Sequence, residues 1–158
     1  EIVAESLTLV RARMLTHSVS DELGDLPGVT CYRSKVGQVL TNLLANAADA
    51  LSEKVERSRR NGENLFEPQI IITSNSHKRN AVAGALVVIS DNGDGVPDSI
   101  REKIFEQFFT TKPAGSGTGL GLSLCADIVK EHGGVLSVMD DETLGGARFE
   151  LWLPLAGG

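Results

Sequence analysis

The sequence predicts a two-layer α/β sandwich, with a mixed, largely antiparallel sheet of about five strands and helices on one face. Three observations carry this. Residues 69–73 and 85–89 are aliphatic, mostly β-branched runs bounded by polar turns, at 77–80 and at Asp91-Asn92-Gly93, as paired central strands are. From Ser34 onward Val36, Leu40, Leu43, Ala47 and Leu51 mark one face of a long helix. Two more short extended runs, 135–139 and 148–153, follow near the end of the chain and are joined through Asp140-Asp141 and Gly145-Gly146.

In chain order, Ile2, Leu7, Val10 and Met14 suit the end of a helix over residues 1–14. Residues 16–23 alternate loosely, with His17, Val19 and Leu23, and read as a short strand. Gly24-Asp25-Leu26-Pro27-Gly28 then turns the chain, and Val29-Thr30-Cys31-Tyr32 reads as a second strand. The long helix ends in a polar run, 54–60, before Asn61-Gly62. Pro97 followed by Asp98 opens a short helix to about Phe105. After a glycine-rich loop, residues 120–132 form a helix closed by Gly133-Gly134. The predicted order is α-β-β-α-β-β-α-α-β-β, in one domain spanning all 158 residues.

Fifteen Lys and Arg against 21 Asp and Glu leave a net charge of −6, without the positive field that non-specific nucleic-acid or anionic-lipid binding requires. Neither nucleic acid nor membrane is an expected partner. No apolar run approaches the ~18 residues of a membrane span. Glu1 opens the chain with no leader pattern, and a first residue other than Met is what a fragment shows. Cys31 and Cys125 lie far apart, outside any CxxC or His/Cys cluster, so two free, buried thiols in a reducing compartment are expected rather than a zinc site or disulfide. Aromatic residues are few, yet Phe105, Phe108 and Phe109 crowd beside Gly115, Gly117, Gly119 and Gly121.

The chemistry is written in three places. On the long helix Gln38, Asn42, Asn46 and Asp49 recur at four, four and three residues, one continuous polar stripe. A solvent face would explain it too, but would more naturally carry Lys and Glu, and Asn is a poor interior helix residue. A row of amide oxygens facing a cleft suits a hard cation such as Mg²⁺ that keeps most of its waters. The second place, Asp91-Asn92-Gly93-Asp94-Gly95, is a plausible simple turn in isolation. At the end of a buried strand, however, the Asp91 carboxylate points inward and needs a donor, and an adenine exocyclic amine is one. Gly93 and Gly95 remove side chains where a flat base would approach. The third, Gly115-Ser116-Gly117-Thr118-Gly119-Leu120-Gly121-Leu122, leads into a helix N-terminus, which suits phosphate as well as it suits a flexible loop. It matches neither the Walker A pattern nor the dinucleotide fingerprint.

In this order and spacing the segments resemble the motif set of one family. Asn42-Leu43-Leu44-Ala45-Asn46-Ala47 resembles the N box, Asp91 to Gly95 the G1 box, Phe105-Glu106-Gln107-Phe108-Phe109 the F box, and Gly117-Thr118-Gly119-Leu120-Gly121-Leu122 the G2 box of the ATP-binding catalytic domain of bacterial sensor histidine kinases. Phe108-Phe109-Thr110-Thr111-Lys112-Pro113 looks like the nitrogen-regulation and oxygen-sensing branch. The resemblance covers essentially the whole chain and implies the Bergerat-type ATP-binding fold shared with gyrase, mismatch-repair and chaperone ATPases.

The resemblance also implies roles. Asn46 would give its side-chain oxygen to a Mg²⁺ bridging the ATP phosphates, with Asn42 supporting the ion or its waters and Asp49 next on the stripe. Asp91 would accept from adenine, Gly93 and Gly95 would admit the ring, and Ile104 and Phe105 would cover it. Residues 105–118 would form the lid, Lys112 its phosphate cation, and Gly117, Thr118, Gly119, Leu120 and Gly121 the phosphate loop. Ala147 stands where many relatives carry a Thr, so a water-bridging hydroxyl is missing. His17, His77 (in a turn) and His132 (at a helix end) lack the acidic neighbour and amphipathic helix of an acceptor histidine, and the basic run 54–60 reads as a solvated helix end. The implied function is transfer of the γ-phosphoryl group from Mg·ATP to a histidine on a separate dimerisation domain of the same parent. A response regulator would lie downstream, and the setting would be cytoplasmic. A clamp-type ATPase and a non-catalytic adenine-nucleotide sensor are the alternatives. The ATPases resemble one another in placing Glu where this chain has Asn42, and an amide does not accept a proton from water.

Overall fold

A computed structural model describes residues 1–11, 18–24, 28–63, 66–109 and 121–155. The elements are α1 (Ile2–Arg11), β1 (Ser18–Leu23), α2 (Arg33–Arg60), β2 (Gln69–Arg79), β3 (Val82–Asp91), two 3-10 turns (Asp98–Ile100 and Lys103–Phe105), α3 (Gly121–Glu131), β4 (Val135–Asp140) and β5 (Ala147–Pro154). They build a five-stranded sheet in the order β1-β2-β3-β5-β4. β1 runs parallel to β2 because α2 crosses between them, and the other neighbours are antiparallel. The mixed five-stranded sandwich is therefore as the sequence predicts.

The core lies between the sheet and α2 with α3. Val36, Val39, Leu40, Leu43, Leu44, Ala47 and Leu51 of α2 pack with Ile70 and Ile72 of β2, Val87 and Ile89 of β3, Phe149 and Leu151 of β5, and Cys125, Ile128 and Val129 of α3. Each fully buried Leu or Ile contributes about 1.5–3 kcal/mol, which outweighs the poor helix propensity of the amides on the other side of α2. Trp152 is buried too, and its Nε1–H donates to the His77 carbonyl at 2.9 Å. Gly84 makes room for that ring: a Cβ there would lie 2.3 Å from Trp152 Nε1.

Several local expectations are corrected. Residues 29–32 form no strand. Their extended run finds no sheet edge to pair with, and the Tyr32 N–H donates instead to His132 Nε2 at 3.0 Å as the chain enters α2. Cys31 there is half-buried rather than buried, although both cysteines are free. Residues 97–105 make two 3-10 turns instead of a helix. Only i→i+3 bonds close them, and Arg101 is pinned midway by Val96 O, Asp98 and Asp140. The 77–80 turn is displaced: His77 lies within β2, and the hairpin turns on Asn80-Ala81, both with positive φ (49° and 67°), the left-handed pair that a two-residue loop demands. Only the part of the first helix up to Arg11 can be compared, since Met14 and His17 lie outside the described residues.

Two substitutions test this packing with opposite signs. Gly84→Ala is expected to lower stability by about 1–3 kcal/mol by displacing Trp152. Ala81→Gly is expected to raise it by up to about 1 kcal/mol by relieving a left-handed alanine. Urea denaturation midpoints check both, and an unchanged midpoint for Gly84→Ala contradicts the close contact.

Candidate functional site

The centre of the site is Asp91. Cross-strand pairing sets it opposite Ile70 and in phase with Val87 and Ile89, on the face that meets the helices. It is 3% exposed. Its Oδ1 accepts the Gly93 N–H at 2.9 Å and the Ala147 N–H at 3.2 Å. Burial raises its pKa above the usual carboxylate range, with the Asp141 charge adding to the rise. The Gly93 and Ala147 amides and the Lys54 cation offset part of this.

Three glycines shape the surroundings. A Cβ on Gly146 would sit 2.3 Å from the Asp91 carbonyl oxygen, 2.4 Å from its Oδ1 and 2.6 Å from Gly93 N, so that position excludes every side chain. A Cβ on Gly93 would meet Asp91 Oδ1 at 3.0 Å. Gly95 has φ +75° and lies beside Asp140 and Gly146. The loop after β3 and the β4–β5 turn therefore lie against each other at Asp91. Arg101 ties them together, donating from Nε to Val96 O at 3.1 Å while its Nη2 pairs with Asp140 at 2.8 Å.

The polar stripe of α2 runs from exposed Gln38 through half-buried Asn42 and Asn46 to exposed Asp49. Asn42 hydrogen-bonds the fully buried Cys125 thiol, whose sulfur also lies 3.8 Å from the Val39 carbonyl. Burial pushes that thiol up to about 11, so it stays protonated and ties α2 to α3. A cavity of about 420 Å³ opens between α1 and the first half of α2, with Ser6, Gln38, Thr41 and Asn42 in its wall. Among the described residues no cluster of three or more His, Cys, Asp or Glu side chains is placed to hold a metal. The donors that α2 offers are neutral amide oxygens, which fit Mg²⁺ held mainly by water and phosphate.

Ile104 is buried in the core, and Phe105 stacks edge-on against Phe149 with ring centroids 6.5 Å apart. Phe109 packs on the core, whereas Phe108 is 71% exposed with φ +63°, a strained left-handed residue just before the glycine-rich segment. Gly121 opens α3 in open space, where a Cβ would meet nothing within 4 Å. Lys112, Gly117, Thr118, Gly119 and Leu120 lie outside the described residues.

The basic run 54–60 is only partly a solvated helix end. Lys54 Nζ donates to the Asn92 carbonyl at 3.1 Å and sits 4.3 Å from the Phe66 ring centroid, and Arg57 pairs with Asp94. These two cations fasten the Asp91–Gly95 loop to α2, while Arg59 and Arg60 are exposed. Sequence reasoning also misses what Gly146, Ala147, Arg101 and Asp141 do here. The Gly145-Gly146 pair was the available signal, but it reads as an ordinary turn until β5 is paired with β3. Ala147 lacks a hydroxyl, yet its backbone N–H makes the Asp91 contact that any residue there would make.

Residues 31–157 match the family described as histidine kinase-, DNA gyrase B-, and HSP90-like ATPase. The sensor kinase CckA of Brucella abortus is 34% identical over 96% of this chain, which spans 16% of that protein. The sensory histidine kinase/phosphatase NtrB of Azospirillum brasilense is 42% identical over 70% of the chain, which spans 27% of that one. Among solved structures, the catalytic domain of histidine kinase ThkA superposes with a TM-score of 0.73 at 28% identity, covering 97% of this chain and 91% of that one. The mycobacterial sensor histidine kinase MprB gives 0.75 at 26% identity, with coverages of 97% and 91%. With its family match, its sensor-kinase relatives and a buried aspartate walled by glycines, the chain belongs to the histidine kinase-, DNA gyrase B- and HSP90-like ATPases and is homologous to the catalytic domains of sensor histidine kinases.

Proposed function

We propose that this chain binds Mg·ATP and presents its γ-phosphoryl group to a histidine on a separate dimerisation domain of the same parent, in the cytoplasm, with a response regulator downstream. The observation that carries the reading is Asp91: a buried carboxylate whose Oδ1 is held by two backbone amides, at the meeting of two glycine-lined loops. Its remaining acceptor capacity suits the exocyclic amine of adenine and repels the carbonyl of guanine. Ile104 and Phe105 would cover the ring, as the resemblance implies, and Asn42 and Asn46 on α2 would be the oxygen donors for Mg²⁺, with Asp49 beyond them. The ion, when bound, supplies charge neutralisation for the phosphates. Lys112 and the amides of Gly117, Thr118, Gly119, Leu120 and Gly121 would grip the phosphates from the lid, in keeping with a transfer that depends on positioning more than on covalent chemistry.

One feature favours transfer over hydrolysis, and a second favours an acceptor on a separate domain. Asn42 is an amide and accepts no proton from water. Among the described histidines none is poised as acceptor: His77 is exposed on β2, and both nitrogens of His132 are engaged, Nδ1–H donating to Ile128 O at 2.7 Å while Nε2 accepts from Tyr32. The direct test incubates radiolabelled ATP with this chain alone and with its dimerisation domain. Acid-labile label is expected on the domain only, and rapid phosphate release by the chain alone favours the ATPase reading.

Asp91→Asn is expected to weaken ATP binding about 10- to 100-fold, the loss of one charge-assisted bond of about 1.5–3 kcal/mol, and to narrow the preference for ATP over GTP. Equal affinity of the parent chain for the two nucleotides by calorimetry contradicts the adenine assignment. The same substitution should stabilise the fold. A carboxyl whose folded pKa is raised binds its proton more tightly folded than unfolded, so ionising it costs stability as pH rises from the ordinary value of about 3.9 through the raised one. Asp91→Asn should therefore melt above the parent at pH 7–8, with the gap closing toward pH 4. A gap independent of pH argues against the buried charge.

Asn46→Ala is expected to remove most of the magnesium dependence of ATP binding while sparing the adenine contact. Titration with and without Mg²⁺ checks this, and an undiminished enhancement places the ion elsewhere.

A further inference from the structure

Asp141 is the second buried carboxylate of the described chain, 6% exposed, and nothing in the nucleotide motifs points to it. It stands at the start of the β4–β5 turn. Its Oδ1 accepts the Leu144 N–H at 2.6 Å and the Thr143 N–H at 3.1 Å. Its own N–H donates to Gly146 O at 2.8 Å, and its carbonyl accepts the Gly145 N–H at 2.8 Å. The Ser90 hydroxyl, on the residue before Asp91, donates to it as well, and Arg148 Nη1 lies 4.0 Å from its Oδ2. The residues delivered by the far end of this turn are Gly146, packed on the Asp91 backbone, and Ala147, whose N–H reaches Asp91 Oδ1.

A surface turn needs no buried charge. An exposed Asn or Gly closes such a loop without desolvating a carboxylate, and setting a second negative charge near Asp91 makes both harder to ionise. Burial does push the Asp141 carboxyl up, but the Leu144 and Thr143 amides, the Ser90 hydroxyl and Arg148 outweigh it and hold the pKa below the ordinary value. Asp141 therefore stays charged where Asp91 does not ionise easily, and it organises the strand end that grips Asp91.

We infer that Asp141 is the positioning residue of the adenine contact, folding the β4–β5 turn so that the Ala147 N–H fixes the Asp91 carboxylate. A negative charge held this near Asp91, in a turn whose Gly146 packs on the Asp91 backbone, also moves the acid limit of binding upward. This rests on the reading of Asp91 as the adenine acceptor. The charged groups acting on Asp91 are Asp141 from the turn and Lys54 from α2.

The test measures binding of a non-hydrolysable ATP analogue with Mg²⁺, from pH 5 to 8, to the parent chain, Asp141→Asn, Asp141→Ala and Asp91→Asn. Hydrogen exchange of the Ala147 amide is followed alongside. Asp141→Ala is expected to bind about tenfold more weakly and to expose the Ala147 amide, because the turn loses its closing acceptor. Asp141→Asn keeps an oxygen for the Thr143 and Leu144 amides, so it should retain affinity within about threefold at pH 8. Its acid limb should move to lower pH, because the neighbouring charge that raises Asp91 is gone. A purely structural role would leave that limb in place. Should Asp141→Ala not fold, Asp141→Ser, whose hydroxyl accepts one of the two amides, carries the same comparison. Parent-like affinity and Ala147 protection in the Ala or Ser variant, or an unmoved acid limb in Asp141→Asn, overturns the inference. If Asp91→Asn still loses the analogue, the adenine reading survives that failure. If Asp91→Asn binds as the parent does, the adenine reading has itself failed.

Discussion

A carboxylate at the inner end of the central strand has to be satisfied, and much of the described structure is arranged around that requirement. Asp91 shares the face of Val87 and Ile89 by the two-residue period of β3, so it cannot turn to solvent without reversing the strand's whole apolar face. Backbone amides meet its charge, one from its own loop and one from the first residue of β5. That second amide arrives only because β5 pairs with β3 in a register that sets Arg148 opposite Ser90 and brings Gly146 against the Asp91 backbone. Any Cβ at Gly146 would collide with Asp91 and Gly93, so a glycine at one strand end is a condition for the carboxylate at the other.

The helix α2 is the other half of the construction. Its leucines bury one side, and this anchoring fixes the height and rotation of the amides opposite them. The same helix reaches forward to the Asp91 loop through Lys54 and Arg57, and across to α3 through Asn42 and the Cys125 thiol. In the proposed reading, the adenine end and the phosphate end of one nucleotide are thus referred to a single rigid body of 28 residues. Surface ion pairs such as Arg57–Asp94 contribute at most about 1 kcal/mol to stability, so their consequence is the placement of a loop more than the energy of the fold.

What was legible in the chain follows the range of the forces involved. Periodicities of two and 3.6 residues are local, and they located β2, β3, α2, α3, β4 and β5 because each buries one face on a common core. The motif order identified the family, and the comparisons bear that out. Tertiary decisions were not legible. Val29-Thr30-Cys31-Tyr32 has strand-forming side chains but no edge to pair with, and the 97–105 segment has the Pro-Asp opening of a helix but is held down by Arg101 through partners from two loops. Lys54 looked like one more solvated charge because its partners, the Asn92 carbonyl and the Phe66 ring, are set by folding and not by spacing. Asp141 was invisible for the same reason, since Asp-Asp before a Gly-Gly pair is what any polar turn contains.

Two buried carboxylates near one strand end also bear on how the proposed site divides stability from function. Asp91 is held where ionisation is costly, and Asp141, closer to donors than to water, adds to that cost. A fold selected for stability alone would place an amide or an apolar residue at Asp91, whose raised pKa makes its charge a cost, whereas Asp141, held below the ordinary value by its donors, stabilises the fold when charged. The arrangement makes sense where the charge has an external partner. On the proposed reading, an exocyclic amine entering beside Asp91 would relieve part of the desolvation that the fold bears, and nucleotide binding and stability would be linked through one carboxyl group. In the proposed reading that linkage discriminates by chemistry rather than by shape, because a carbonyl presented at the same point would leave the carboxylate facing a second acceptor.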